Sequence, residues 1–249
     1  MRIAYDNLID DLVLADFTAS TQATGFPITN VQEQRLSVRW RATSPTAQSV
    51  IIDMGSAVAV TVAAVGGHNL SASATTTIAG GTSASVFTTA VSITRNADLM
   101  LAFFGSKTYQ YWKFEIDDPT NTDGYIEVGR LWLGTYITVS PSSLLDFTVT
   151  KRRSDMVSIG KNRQKYASPG EGWREFDLSF PATGATTLSA IQTMYDMVGN
   201  HTSMIFCNFD TDVSYPLVYP CYVSIKGDIA FQHDKRQRYT YGIALEENL

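Results

Sequence analysis

The order of apolar and polar positions along the chain is that of a mainly β protein. In "YQYWKFEID" the residues Trp112, Phe114 and Ile116 alternate with polar neighbours, as on a strand with one buried face. Similar alternation runs through "FDLSF" and "YTYGIALEE", and "SVIIDMG" is a short apolar run that ends at a turn glycine. These segments predict strands in both halves of the chain.

One segment has a helical period instead. In "TTLSAIQTMYDMVGN" the apolar residues recur three or four positions apart, at Leu188, Ile191, Met194, Tyr195 and Val198. Thr187 can cap the start of such a helix, and Gly199 suits the position that follows its last turn. The sequence therefore predicts one helix here.

The stretch "LSASATTTIAGGTSASVFTTAVS" is rich in small residues and is open to two interpretations. It has the composition of a flexible linker, but apolar residues recur through it. We interpret it as small-residue strands that turn at Gly80 and Gly81.

The pattern changes near "LGTYITVSPSS", which suggests a domain boundary. The chain is predicted to consist of a β-sandwich over residues 1–137 and a second β domain with one helix over residues 138–249. A chain of 249 residues is long enough for two domains of this size.

Composition narrows the classes of function. The chain is 44% hydrophobic and 17% charged, as in globular proteins, and its net charge of −5 argues against sequence-specific nucleic-acid binding. It has no apolar run of membrane-spanning length, and "MRIAYDNLIDD" lacks the apolar core of a secretory signal. Synthesis in a cytoplasm is expected, so Cys207 and Cys221 are predicted to be buried thiols and not a disulfide.

Recognisable catalytic or cofactor-binding patterns are missing from the sequence. Each of the three histidines stands alone, and no zinc, phosphate-loop or nucleophile-elbow motif occurs. We expect a protein without cofactor that is not an enzyme, although a catalytic group assembled from distant residues stays open. The segment "DDPTNTDG" is interpreted as a solvated turn, with a calcium site as the alternative; its ligands would be Asp117, Asp118, Asn121 and Asp123.

A polar excursion in the second half carries six basic residues, named the basic arm below. They are Lys151, Arg152, Arg153, Lys161, Arg163 and Lys165. The excursion is either a solvated hairpin or a protruding arm that docks on an acidic neighbouring surface or comes near nucleic acid. We predict the docking arm, with the six residues in an oligomer interface.

The segment "GFPITNVQEQRLSVRWRATSPTAQSVIIDMG" places Arg39, Trp40 and Arg41 just before a strand. From the residues alone it is a catalytic pocket, a sugar-binding loop or a buried anchor. Together with "VAAVGGHNLS" and "YWKFEIDDPTNTDGYIEVGRLWLG", it resembles the discoidin-like (galactose-binding-like, jelly-roll) β-sandwich of bacteriophage tail proteins. The part after residue 137 is similar to distal-tail and minor-tail proteins, in which a tail-tube-like β-sandwich carries one helix.

The resemblance implies a structural role in a phage virion, at the tail tip or baseplate. Its partners would be further copies of itself in a ring, the tail tube protein, hub or fibre proteins, and a bacterial surface glycan. The alternative is a carbohydrate-binding module that recognises such a glycan, with Arg41, His68 and Asn69 as the candidate contacts. Trp40 would be a buried anchor whose indole N–H is satisfied locally.

Overall fold

A computed structural model of the chain describes residues 1–88, 90–94, 99–139, 147–159, 161–208, 220–234 and 238–248. Across these ranges the fold is mainly β with one α-helix, which confirms the predicted fold class. The helix α1 spans Ala185–Val198, and two short 3-10 helices, η1 and η2, span Leu14–Asp16 and Ile28–Gln32. No helix in these ranges has the length and apolar character that crossing a membrane requires.

The strands are short in both halves, apart from two of 19 residues. In chain order they are β1 (Arg2–Ala4), β2 (Phe17–Ala19), β3 (Trp40–Arg41), β4 (Gln48–Gly66), β5 (Thr75–Ser83), β6 (Val86–Phe87), β7 (Val91–Ser92), β8 (Leu99–Asp117), β9 (Glu127–Val128), β10 (Arg130–Gly134), β11 (Ile137–Thr138), β12 (Phe147–Arg153), β13 (Met156–Ile159), β14 (Lys165–Ser168), β15 (Gly172–Thr183), β16 (Met204–Cys207), β17 (Cys221–Ile225), β18 (Phe231–Asp234) and β19 (Arg238–Glu247).

The chain divides into two compact units. The N-terminal unit is Ile3–Ile137, and the C-terminal unit combines Met1–Arg2 with Thr138–Leu249. The sequence does not predict that the first two residues belong with the second half. They do so because β1 lies between β11 and β16 in the strand order of the larger sheet.

The N-terminal unit is built on a seven-stranded sheet in the order β10-β4-β8-β5-β6, with β2 beside β4 and β7 beside β5. The long strands β4 and β8 pair antiparallel, and their register shifts between Asp53 and Val58 and again between Val60 and Val62. Such irregularities bend a strand and increase its twist. Side chains from both halves of β4, among them Ile52 and Val65, consequently share one hydrophobic core.

The predicted turn at Gly80 and Gly81 is wrong, because both glycines lie inside β5. The chain turns at residues 84–85 instead. A side chain at Gly80 would overlap the ring of Tyr109, and one at Gly81 would meet the carbonyl of Val86. These glycines allow close packing within the sheet and do not reverse the chain.

The larger sheet has eight strands in the order β11-β1-β16-β17-β19-β15-β12, with β18 beside β19. The helix α1 buries Leu188, Ile191, Met194 and Val198, as its period predicts. Gly199 follows the helix with a φ of 51°, which confirms the predicted end. The predicted cap at Thr187 is wrong, since the helix already begins at Ala185, directly after Gly184.

Trp40, Trp112 and the two cysteines are buried, as the sequence predicts. Trp40, Trp112 and Trp132 are buried, whereas Trp173 is half-buried. Cys207 in β16 and Cys221 in β17 are buried thiols without a disulfide. The patterned strands therefore form the cores of the two units.

Candidate functional site

The segment before β4 forms one edge of a small two-stranded sheet. Strand β3 pairs with β9 so that Trp40 lies opposite Val128 and Arg41 lies opposite Glu127. Adjacent residues of a strand point to opposite faces, so the indole enters the core while the guanidinium turns outward. The indole Nε1 donates a hydrogen bond to the Thr21 carbonyl at 3.2 Å. The predicted buried anchor at Trp40 is confirmed.

Glu127 holds two arginines on the outer face of this sheet. Arg41 donates through Nε and Nη2 to Oε1 at 2.8 and 2.5 Å, and Arg39 donates through Nη1 to Oε2 at 3.0 Å. Glu127 is only 8% exposed, and a buried carboxylate needs such partners to offset its lost hydration. The two guanidinium groups are therefore fixed, and they carry one more unit of charge than the carboxylate between them.

The guanidinium of Arg41 also lies against two aromatic rings. Its Cζ is 4.0 Å from the ring centroid of Phe26 and 4.2 Å from that of Tyr125. Both distances are within the range of cation–π attraction. Phe26, Arg41 and Tyr125 are all partly exposed. A charged and aromatic surface, named the Arg41 site below, therefore forms on the N-terminal unit.

Asn69 fixes the loop that carries Tyr125. Its Oδ1 accepts a hydrogen bond from the Glu127 backbone N–H at 2.8 Å. Its Nδ2 donates to the Tyr125 carbonyl at 3.0 Å and to Asp123 Oδ2 at 2.9 Å. His68 Nδ1 accepts the Leu70 backbone N–H at 3.2 Å, which closes a local turn.

Of the three residues predicted to contact a glycan, the structure brings Arg41 and Asn69 to the same loop. His68 lies beside Asn69 in the chain and is half-buried. The side-chain amide of Asn69 forms its hydrogen bonds within the protein. Asn69 therefore positions the loop of the site and is less suited to contact a ligand. At the rim of the site, Arg41 and Tyr125 are partly exposed and Asp123 is exposed.

Sequence reasoning missed the two rings and the carboxylate that complete the Arg41 site. Tyr125 lies in the loop before β9, which begins at Glu127. Phe26 precedes the Pro27 turn in the same segment as Arg41, and that proximity is the one local signal for it. The pairing of Arg41 with Glu127 spans 86 positions, so no local pattern predicts it.

The acidic turn after β8 is only partly solvated. Asp117 and Asp123 are exposed, but Asp118 is fully buried, which corrects the prediction for that residue. The carboxylate of Asp118 accepts hydrogen bonds from the Ser71 backbone N–H at 2.7 Å and from Asn121 Nδ2 at 3.1 Å. Asp117 instead accepts from the Ala47 N–H. In the described part of the chain no group of three or more His, Cys, Asp or Glu residues is suited to a metal ion.

The sequence matches no family model and no curated protein. Solved structures similar to it are carbohydrate-binding modules that match about half of the chain. Chitosan-binding module 1 from a chitosanase/glucanase of Paenibacillus sp. IK-5 has 17% identity and a TM-score of 0.42, over 52% of this chain and 99% of that one. The CBM32 of AlyQ, in complex with 4,5-unsaturated mannuronic acid, has 18% identity and a TM-score of 0.40, over 53% and 97%.

A third neighbour is the family 32 module of NanJ from C. perfringens, in complex with galactose. It has 13% identity and a TM-score of 0.40, over 55% of this chain and 100% of the module. At this level of likeness the ligands named belong to those proteins, and the comparisons lend no support to the predicted phage-tail role.

Proposed function

We propose that the chain is a binding protein without catalytic activity, and that the Arg41 site contacts a saccharide. The observation that carries the proposal is the fixed position of Arg41, between two partly exposed rings and against a buried carboxylate. A surface that is already ordered loses little conformational entropy when a ligand binds. Such a surface is suited to a ligand with a rigid ring.

The chemistry of the rim suits a sugar. A pyranose presents C–H groups, which pack on aromatic rings, and hydroxyl groups, which need donors and acceptors at fixed positions. The half-buried rings of Phe26 and Tyr125 supply the first kind of contact. Hydrogen bonds to the sugar hydroxyl groups would come from Arg41 Nη1, the Tyr125 hydroxyl and Asp123 Oδ1, since none of these atoms bonds to a described residue.

The carboxylates of the Arg41 site favour binding without turnover. Glycosidic cleavage normally needs two carboxyl groups that flank the scissile bond, one of them as proton donor. Glu127 is buried and engaged by two guanidinium groups. Asp123 is the other carboxylate of the site, and it accepts a hydrogen bond from Asn69. Neither is placed as a proton donor toward a ligand at the rim.

A glycan array followed by calorimetric titration of the full chain tests the proposal. We expect at least one saccharide to bind, with Tyr125→Ala weakening the affinity by about tenfold or more. Tyr125→Phe keeps the ring and removes only the hydroxyl, so its loss should be smaller. Tyr166→Ala removes an exposed tyrosine outside the N-terminal unit and is the matched control. A chain that binds no saccharide, or binding that survives Tyr125→Ala unchanged, would overturn the proposal.

A second candidate is the structural role in a phage virion, at the tail tip or baseplate. The observation that favours it is the basic arm, whose six residues are all exposed around a hairpin that projects its side chains into solvent. A ring-forming protein needs a surface of this kind. The oligomer interface at the basic arm, the tail tube, hub and fibre partners and a location in the virion all stay proposals. Saccharide binding by the N-terminal unit is compatible with them.

A further inference from the structure

The hairpin of β13 and β14 exposes large apolar side chains. Met156 is 75% exposed, Val157 58%, Ile159 64% and Tyr166 57%. Every residue of both strands is exposed. A two-stranded hairpin is marginally stable in water unless its side chains pack on something. An exposed apolar cluster on an ordered strand pair is typical of a surface that a partner covers.

The register shows that both faces of the hairpin are apolar. Val157 pairs with Ala167, and Ile159 pairs with Lys165, so these four side chains share one face. Met156 pairs with Ser168 and Ser158 pairs with Tyr166, which places Met156 and Tyr166 on the other face. Within the described part of the chain, β13 and β14 pair only with each other. Neither face belongs to a core of this chain.

The charges around the hairpin show what kind of surface it fits. Arg152 pairs with Glu175, and Arg153 pairs with Asp155, each at 3.1 Å. The other four residues of the basic arm, which have no carboxylate partner among the described residues, are Lys151, Lys161, Arg163 and Lys165. The partner surface should therefore be both apolar and acidic.

The N-terminal unit carries a surface of that description. On and beside η1, Val13 is 63% exposed and Leu14 60% exposed. Acidic residues surround this pair in "DNLIDDLVLAD". The acidic patch is defined here by Asp6, Asp11, Val13, Leu14 and Asp16.

Among the described residues, no cation pairs with any of the three carboxylates of the acidic patch, Asp6, Asp11 and Asp16. The neighbouring Asp10, in contrast, pairs with Arg130 at 2.6 Å. Partial burial raises the pKa of Asp6, and the nearby charge of Asp11 raises it further. The patch is thus a site of uncompensated negative charge beside exposed apolar side chains.

We propose that the β13–β14 hairpin of one copy docks on the acidic patch of a second copy. Apolar side chains would pack on Val13 and Leu14, while the cations of the basic arm approach Asp6 and Asp11. Because the two surfaces differ, the contact is head to tail, and each copy can bind two neighbours. This contact is independent of saccharide binding at the Arg41 site.

Sedimentation of the full chain at low and high salt gives the first test. We expect concentration-dependent association at low ionic strength that weakens as salt screens the charges. Reversal of the basic arm (Lys161→Glu, Arg163→Glu, Lys165→Glu) should give a monomer, and so should reversal of the acidic patch (Asp6→Lys, Asp11→Lys). Both reversals combined in one chain should restore association.

A mixture of the two reversed proteins is the decisive experiment. The arm-reversed protein keeps a normal acidic patch, and the patch-reversed protein keeps a normal arm. The normal arm fits the normal patch and the reversed arm fits the reversed patch, so the two proteins should associate in alternating order and in a one-to-one ratio, although each alone is a monomer. Contact between two arms would not need the patch, so the patch-reversed protein alone would still associate.

Matched controls separate this contact from general surface effects. Val13→Ser with Leu14→Ser should abolish association, whereas Val86→Ser, at an equally exposed valine, should not. The unfolding midpoints of the arm-reversed protein and of the serine variants should stay near that of the parent, because the changed side chains are exposed. A parent chain that stays monomeric at every concentration, or a mixture that does not associate, would overturn the proposal.

Discussion

At the scale of single residues, buried charges connect segments that are far apart in the chain. Arg130 is almost fully buried, and it donates to Asp10 and to the Gln32 carbonyl. Glu127 joins Arg39 and Arg41 in the same way. A buried charge is stable only when its partners are in place, so these residues fix the loops around β3, β9 and β10.

The acidic patch gives a prediction at this scale. Asp11→Asn should lower the pKa of Asp6 toward its ordinary value of 3.8, because the charge of Asp11 is one of the two causes that raise it. The decrease should be partial, since burial is the larger cause and remains. Carboxyl titration by NMR measures it, and Asp196→Asn on the exposed face of α1 is the control.

The raised pKa of Asp6 also has a consequence for the stability of the fold. A carboxyl group whose pKa is raised on folding stabilises the folded state below its ordinary pKa, and this contribution is lost as the pH rises through the raised value. Asp6→Asn should therefore increase the free energy of unfolding at neutral pH and give no gain in strong acid. Denaturant unfolding at the two pH values decides this, and a loss at neutral pH would contradict it.

At the scale of elements, the sequence predicts most strands and the helix, because the period of buried positions, two residues in a strand and 3.6 in a helix, can be recognised within a short segment. The prediction fails where a contact with a residue far away in the chain determines the local structure. Gly80 and Gly81 read as a turn, but the ring of Tyr109 and the carbonyl of Val86 explain the glycines within β5. The Arg41 site is predicted only in part for the same reason. Arg41 and Asn69 can be selected from the sequence, but only the folded structure shows that both contact the segment 123–127.

Gly129, between β9 and β10, gives a prediction at this scale. Its Cα approaches the Leu36 carbonyl so closely that a methyl group would overlap it. Gly129→Ala should destabilise the N-terminal unit by about 1–3 kcal/mol, since backbone must move to make room. Urea unfolding followed by tryptophan fluorescence measures the change, because Trp40, Trp112 and Trp132 are all buried in this unit.

Gly105→Ala is the matched control for that experiment. Gly105 lies within β8, and a Cβ there meets no atom within 4 Å. We expect no loss of stability from this change. Equal effects of the two substitutions would show that the close approach at Leu36 is not what requires glycine at position 129.

At the scale of the whole molecule, the N-terminal unit has a hydrophobic core of its own. The hydrophobic cluster that contains Trp40 and Trp112 extends from Ile9 to Leu133 and lies entirely within Ile3–Ile137. A unit that encloses its own core has what independent folding requires.

Expression of residues 3–137 alone tests this independence. We expect a soluble fragment with a single cooperative unfolding transition and tryptophan emission typical of buried indoles. The full-length chain under the same conditions is the reference. Recovery of the fragment only as an unfolded chain would show that its core depends on the rest of the protein.

The cations of the basic arm also bear on how this protein avoids aggregation. A short apolar hairpin with open strand edges is a template on which identical hairpins can stack into fibres. Lys161, Arg163 and Lys165 lie at or beside that hairpin, and two hairpins with the same charges repel each other. The charges that favour docking of the hairpin on an acidic surface thus also oppose the stacking of identical hairpins. Neutralising these charges should therefore speed the formation of amyloid-like deposits.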